Sequence, residues 1–511
     1  MVIVPEGKYL NFISIAAYIN NLLQNQAFFI FSLRKILLIH KTRHMKKILF
    51  SAISFLLVIN SFSQSEDSMM IKKISDEILV NGKAYDNLRY LTKQIGGRLS
   101  GSPQMVKAEK WGVGVMQESG ADKAWLQECM VPHWVRGGKD KAEVFYNGAV
   151  TGARNLLLFH KQLDVLALGN SEGTKNKDLT AKVILVNSFD ELETKKDSLK
   201  GMIVFYNYKF NQSYVNPFLA YRDAGGYRGS GPSRAAKYGA AAVIVRSLSG
   251  STDNNPHTGA TRYDTTLSKN KIPALAIGLR DADWLSDQIQ NNKIISLTIK
   301  NNAHFLPDTI GHNVIGELTG SEFPDEIITI GGHLDSWDPA EGAHDDGAGC
   351  VQTIEVLRVL KALGYKPKRT IRFVLFMNEE NGLRGGNKYA EEAKAKNEKH
   401  VFALESDAGG FTPRSISFGG SAEQLKKLQS WIPLLYPYGV YEIVNGGGGA
   451  DIGPLNRTLK TPVAELAPDT QRYFDYHHAR NDVFENVNKR ELQLGAVNMA
   501  ALIYLIDKYG L

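Results

Sequence analysis

The sequence predicts an α/β fold: a mixed, mostly parallel sheet with helices on both faces, carrying an inserted β-rich unit. Three observations predict it. Short β-branched apolar runs such as Glu326-Ile327-Ile328-Thr329-Ile330 alternate with helix-length stretches, the pattern of parallel strands joined by crossover helices. Several of those runs end in carboxylate or imidazole residues, at the sheet edge where ligands sit in open α/β folds. Between residues 160 and 303 the texture changes to closely spaced strands. At 511 residues, 43% hydrophobic and 22% charged, the chain has length for more than one domain and a sizeable core.

Residues 1–64 stand apart. The formal net charge is +7, and this stretch holds seven Lys/Arg against the single acid Glu6, so the remainder is close to neutral. No basic surface for nucleic acid follows. Met45-Lys46-Lys47, twelve mostly apolar residues from Ile48 to Ile59, and the small residues of Ser61-Phe62-Ser63 have the form of a signal peptide over 45–64. Residues 1–44 then read as an extension upstream of the true initiator, Met45. Within them, Tyr9 to Leu33 is too rich in Asn and Gln for a spanning helix. The mature protein is expected to be secreted or periplasmic, with no membrane partner.

The main α/β domain is expected in two segments, 65–159 and 304–511, with the insert over 160–303. From Glu77 to Ala121 the pattern is helical, with Leu88, Leu91 and Ile95 on one face, a turn at Gly96-Gly97, and a second helix from Pro103 to Ser119 closed by Gly120. Val144-Phe145 and residues 155–158 read as strands. In the insert, residues 181–186, 201–206, 241–245 and 271–277 are predicted strands, with helices at Ser233–Gly239 and Asp281–Gln288. After Asn313 come a strand over 326–331, a helix from Gly349 to Leu363 ended by Gly364 and Pro367, and strands over 370–377, 401–404 and 461–466. Cys129 and Cys350 are too few for a disulfide framework and read as free thiols. Gly446 to Gly449 lacks the ending of a phosphate loop and reads as an active-site loop.

His333 and Asp335 leave a strand end two residues apart, so in extended backbone they point the same way. Asp345 and Asp346 enter a helix side by side, which is costly unless a cation neutralises them. Asn378-Glu379-Glu380, Glu405-Ser406-Asp407 and Tyr476-His477-His478 add further groups of the same type. Each alone fits a solvated acid pair or a hydrogen-bonded histidine. Together, with no thiolate among them, they suit a metal centre, zinc ahead of cobalt or manganese. A metal held there would activate a bound water, and a free carboxylate would relay its proton. Of the pair Glu379-Glu380, one can be a ligand while the other faces that water.

Five motifs carry a resemblance to peptidase family M28, a family of zinc exopeptidases: Gly331-Gly332-His333-Leu334-Asp335, Asp345-Asp346-Gly347-Ala348-Gly349, Asn378-Glu379-Glu380-Asn381-Gly382, Glu405-Ser406-Asp407-Ala408-Gly409 and His478-Ala479-Arg480-Asn481-Asp482. The resemblance implies the zinc exopeptidase fold and two Zn2+ ions bridged by Asp345. His333 and Asp407 would complete one site, Glu380 and His478 the other. Asp335 would support His333, and Glu379 would be the general base. His478 is preferred to His477 because the family pattern is His followed four residues later by Asp, here Asp482. Gly96–Ser102 and Val131–Gly137 narrow the resemblance to one branch of the family, and Leu199–Phe205 and Lys237–Ile244 resemble a protease-associated (PA) domain. The implied substrate is a dipeptide or short peptide, cut as by a dipeptidase, carboxypeptidase or aminopeptidase, and the resemblance also implies a homodimer. Gly446–Asp451 and Tyr473–Tyr476 are candidates for the specificity wall. Two rivals carry their own expectations. A binding protein of this fold would have broken motifs, and a glutaminyl cyclase relative would hold one zinc.

Overall fold

The β-branched runs become the centres of two eight-stranded sheets. A computed structural model of the protein describes residues 66–148, 157–291 and 295–511. The expected signal peptide, the extension before it and residues 155–156 lie outside the described residues. Of the unit Met1–Met70 only 66–70 are described, as helix; everything below concerns the unit Ile71–Leu511.

In chain order the strands are β1 (Lys123–Val135), β2 (Lys141–Gly148), β3 (Leu157–Leu163), β4 (Val165–Ala167), β5 (Leu179–Val186), β6 (Ile203–Tyr206), β7 (Ala242–Arg246) and β8 (Ala274–Ile277). They continue with β9 (Ile295–Lys300), β10 (His304–Leu318), β11 (Phe323–His333), β12 (Arg369–Phe376), β13 (Lys399–Glu405), β14 (Pro413–Gly419), β15 (Glu442–Asn445) and β16 (Val463–Pro468). The first sheet has the order β1-β10-β12-β11-β13-β16-β14-β15, and its four central strands, β12 to β16, run parallel. Burial on both faces explains why those strands are continuously apolar. Val374 and Phe376 of β12 pack on the helices Arg384–Ala395 and Gly453–Leu459. The opposite face carries the helices Pro103–Glu118, Ala348–Ala362 and Lys489–Tyr509. This is the expected mixed α/β architecture.

One buried carboxylate ties the last helix to the sheet. Asp507 accepts from the Tyr365 hydroxyl at 2.6 Å and from the backbone N–H groups of Lys368 and Arg369 at 2.9 and 2.8 Å, where β12 begins. Asp507→Ala strands three partly buried donors. The expected cost is about 3–5 kcal/mol, read as a lower urea midpoint at unchanged slope.

The second sheet, β3-β2-β9-β5-β6-β7-β8-β4, is made of the chain that lies between β1 and β10, which pair with each other in the first sheet. Its parallel strands β5 to β8 alternate in the two-residue period of a strand. Val204, Tyr206, Val243 and Val245 face one core, and Ile203, Phe205, Ala242 and Ile244 the other. Strand β2 lies before residue 160 and β3 spans it, and both belong to this sheet. Cys129 and Cys350 are both free and buried.

Candidate metal centre

Strand register brings the chemistry together. His333, the last residue of β11, pairs with Phe376 of β12, and Gly331 pairs with Glu405 of β13, so the residues after each strand leave one edge at the same level. The loops cross that edge so closely that side chains are excluded. A Cβ on Gly332 would lie 2.4 Å from Asp346 Oδ2, and one on Gly349 1.9 Å from the Ser406 carbonyl. Glycine is therefore required on both sides of the acidic pair.

Asp345 lies between two imidazoles. Its Oδ1 is 3.2 Å from His333 Nε2 and its Oδ2 is 3.3 Å from His478 Nε2. His333 Nε2 is also 3.2 Å from Asp407 Oδ1, and His478 Nε2 is 3.0 Å from Glu380 Oε2. The loop is held from behind by Asp482, which accepts from the His344 and Asp345 backbone N–H groups at 2.7 and 3.1 Å. The Asp345–Asp346 peptide is cis. Asp346 also lies near His333 and Asp407, but both its oxygens accept backbone N–H groups, from His333 at 3.0 Å and Gly349 at 2.8 Å. Its place is structural.

Asp335 meets His333 through its main chain. His333 Nδ1 donates to the Asp335 backbone carbonyl at 2.9 Å, whereas the Asp335 carboxylate is 3.8 Å from that nitrogen. The carboxylate instead accepts from the Glu379 backbone N–H at 3.0 Å. It orients the glutamate pair while its main chain orients the histidine. His477 stacks on His478 at 3.5 Å between centroids, and its Nε2 is 3.7 Å from Asp345 Oδ2. Two backbone positions aim these groups. Asn378 has φ +64° and turns the chain into Glu379, and His478 has φ +61°. Asn and His are both among the non-glycine residues that enter this left-handed region more readily than most.

Electrostatics favour cations here. Burial, with the charges of Asp407 and Asp335, pushes the Glu379 carboxyl up to about 8. Burial raises Glu380 well above its usual range, reinforced by Asp345. Burial works the same way on Asp345, but the surrounding imidazoles outweigh it and hold that group below its usual range. Asp345 Oδ2, Glu380 Oε1 and Asp407 Oδ1 are buried and accept no hydrogen bond. Buried carboxylate oxygens without donors, those of Asp345 and Asp407 facing imidazole nitrogens across about 3 Å, fit a divalent metal ion. The donor set has oxygen and nitrogen and no sulfur, as zinc accepts.

The groups open on a cleft of about 510 Å³. One wall carries Asp345, Glu379, Glu380, Asp407 and His478; the other carries Phe218, Tyr221, Arg228 and Arg262 from the chain between β1 and β10. Sequence reasoning missed that second wall. Nothing marks Arg228 as facing a histidine 250 residues away. Of the expected specificity segments, Tyr473 lines the cleft, while Asp451 and Ile452 donate their backbone N–H groups to Glu405 behind it. A larger cleft, about 820 Å³, is lined by charges that pair with one another, Arg136 with Asp338 and Arg480 with Asp164.

Residues 313–503, which contain His333 and the other four groups, match the profile of Peptidase family M28. Human carboxypeptidase Q is 33% identical over 440 residues, covering 85% of this chain and 88% of that protein, and the Xenopus laevis protein of the same name is 33% identical over 434 residues. A peptidase M28 precursor from Shewanella amazonensis superposes with a TM-score of 0.80 at 32% identity, covering 87% of this chain and 97% of that one. BSAP, a zinc aminopeptidase from Bacillus subtilis, shares the fold at a TM-score of 0.57 and 20% identity. Likeness of this depth, sustained over most of both chains, shows that the chain belongs to peptidase family M28.

Proposed function

We propose that the protein is an exported two-zinc exopeptidase that hydrolyses dipeptides or short peptides. The observation that carries this reading is Asp345, whose two oxygens face His333 on one side and His478 on the other. His333, Asp345 and Asp407 would hold one zinc; Asp345, Glu380 and His478 would hold the other. Bound there, the ions would lower the pKa of a water and polarise the scissile carbonyl. Glu379 sits in the same cleft, and its backbone is fixed by Asp335. Its carboxylate takes the proton of the attacking water and delivers it to the leaving amine.

The second wall supports a free C-terminus as the recognised end. Arg228 donates to the Thr258 carbonyl and to the Tyr221 hydroxyl, has no carboxylate partner among the described residues, and keeps a buried Nε without an acceptor. Arg262 makes no ion pair among the described residues. Two unpaired guanidinium groups facing a peptide cleft favour a carboxylate. The name of the carboxypeptidase Q relatives agrees with this. The test is a comparison of free, N-blocked and C-amidated dipeptides. Amidation is expected to lower kcat/KM by about 10- to 100-fold, the worth of one charged hydrogen bond, and Arg262→Ala to remove most of that difference. Equal rates on free and amidated substrates would point to an aminopeptidase.

The parallel strands β6 and β7, in which the Leu199–Phe205 and Lys237–Ile244 motifs end, support reading the second sheet as a PA-like domain that forms the far wall. The pattern of residues 45–64 supports export. His478→Ala is expected to leave one zinc per chain and His477→Ala two, counted by plasma emission after gel filtration. The reverse result would exchange the roles of the two histidines.

A further inference from the structure

The chain between β1 and β10 does more than wall the cleft. Its segment His257-Thr258 runs against His477-His478, and three hydrogen bonds join the two dipeptides. His257 Nδ1 donates to the His477 carbonyl at 2.7 Å, the Thr258 backbone N–H donates to the His478 carbonyl at 2.9 Å, and His478 Nδ1 donates to the Thr258 carbonyl at 3.3 Å. The segment is itself pinned to the second sheet. His257 N–H donates to Ser247 Oγ, Ser247 Oγ donates to the Ile277 carbonyl at the end of β8, and Thr258 Oγ1 donates to the Ala167 carbonyl at the end of β4.

We propose that His257 is a positioning residue for the second metal, so that the His478 ligand is set from the second sheet while the other metal's ligands are set by the first. The tautomer argument is direct. A metal at His478 Nε2 requires the proton on Nδ1, and a carbonyl is the partner that demands it. Arg228 Nη1 lies 3.4 Å from the same Nδ1 and, as a donor, would favour the opposite tautomer. The Thr258 carbonyl decides the contest, and it also takes up the Arg228 proton at 3.3 Å. Its position depends on the segment staying in register with 477–478, which His257 secures. That ring is 2% exposed, and its bond to the His477 carbonyl is the one its side chain makes; Nε2 is buried without a partner. Keeping a half-satisfied imidazole in the interior costs free energy that an apolar residue would avoid, so the Nδ1 bond is what the position is for. Burial holds the ring neutral, its pKa pushed down to about 4. By contrast, His333 is oriented by the Asp335 carbonyl, and Asp407 follows β13, both in the first sheet.

The proposal rests on the two-metal reading, and the two fail differently. Zinc bound per chain is measured while the protein is dialysed against a graded chelator, alongside the thermal midpoint of the zinc-free protein. A wild type that binds one zinc overturns the two-metal reading. If it binds two, His257→Ala is expected to weaken one equivalent about tenfold and to leave the other within about twofold, because it loosens the Thr258 carbonyl that holds the His478 ring. His257→Asn, whose amide donor overlays Nδ1, restores the lost affinity. His257→Gln, whose donor reaches one bond further, does not. The zinc-free midpoint stays constant across the series. Should the Ala variant not fold, the contrast between Asn and Gln decides alone. Equal loss of both metals, loss of neither, a falling midpoint with both metals retained, or identical behaviour of Asn and Gln would each overturn the proposal.

Discussion

Glu379→Gln is expected to lower kcat by about 10³- to 10⁴-fold while two zinc ions stay bound. Gln has the same shape but cannot take a proton from water. The site around it should not move, because the bond that orients this residue runs from its backbone N–H to Asp335 and is untouched by the substitution. Its neighbour Glu380 is the one that meets His478, at 3.0 Å. Steady-state kinetics with a free dipeptide, read beside metal content, check the assignment. Loss of zinc with the activity would mean that Glu379 is the ligand and Glu380 the base.

Asp345→Ala is expected to remove both metals and about 10⁴-fold or more of kcat/KM, since metal catalysis contributes several kcal/mol. No other carboxylate among the described residues lies within 4 Å of both His333 and His478. The fold should persist, because Asp482 grips the loop through the backbone N–H groups of residues 344 and 345. Asp407→Ala, touching one imidazole, should cost one metal. Residues that act as a unit are non-additive, so Asp345→Ala with Glu379→Gln should be no worse than Asp345→Ala alone. A zinc count of one for Asp345→Ala would show that it does not bridge.

The groups that meet at the metal centre were legible because metal chemistry needs particular residue types and the fold puts them at strand ends. His333, Glu380 and Asp407 each follow a β-branched run whose length and composition announce a buried strand. What escaped has no local signature. The Pro217–Gly229 helix contains Gly225, Gly226 and Gly229, poor helix formers held by packing on the second sheet. β10 begins with exposed residues around Pro307 and takes its order from pairing with β1. The Lys489–Tyr509 helix did carry signals, Asn488 accepting at its start and Gly510 after its end, and was nonetheless absent from the sequence reading. Arg228, Arg262 and His257 are ordinary in sequence. Arg228 and His257 act through contacts more than 200 residues long, and one of the key acceptors is a main-chain carbonyl, which every residue has.

The pairing of β1 with β10 has a consequence for how the chain is made. Val135 and His304 are neighbours in the first sheet, and the whole second sheet is synthesised between them. Closing so long a loop adds little thermodynamic cost, since each doubling of its length costs only about 0.6 kcal/mol. The cost falls on timing. As the chain leaves the ribosome, β1 has no partner until β10 follows, and its backbone stands as an open edge bearing Leu126 and Met130, both exposed even in the finished protein. The second sheet, complete by Lys300, can close first as a unit. The strands that carry the candidate metal ligands come after it, so that half of the chain can assemble against a wall that is already standing.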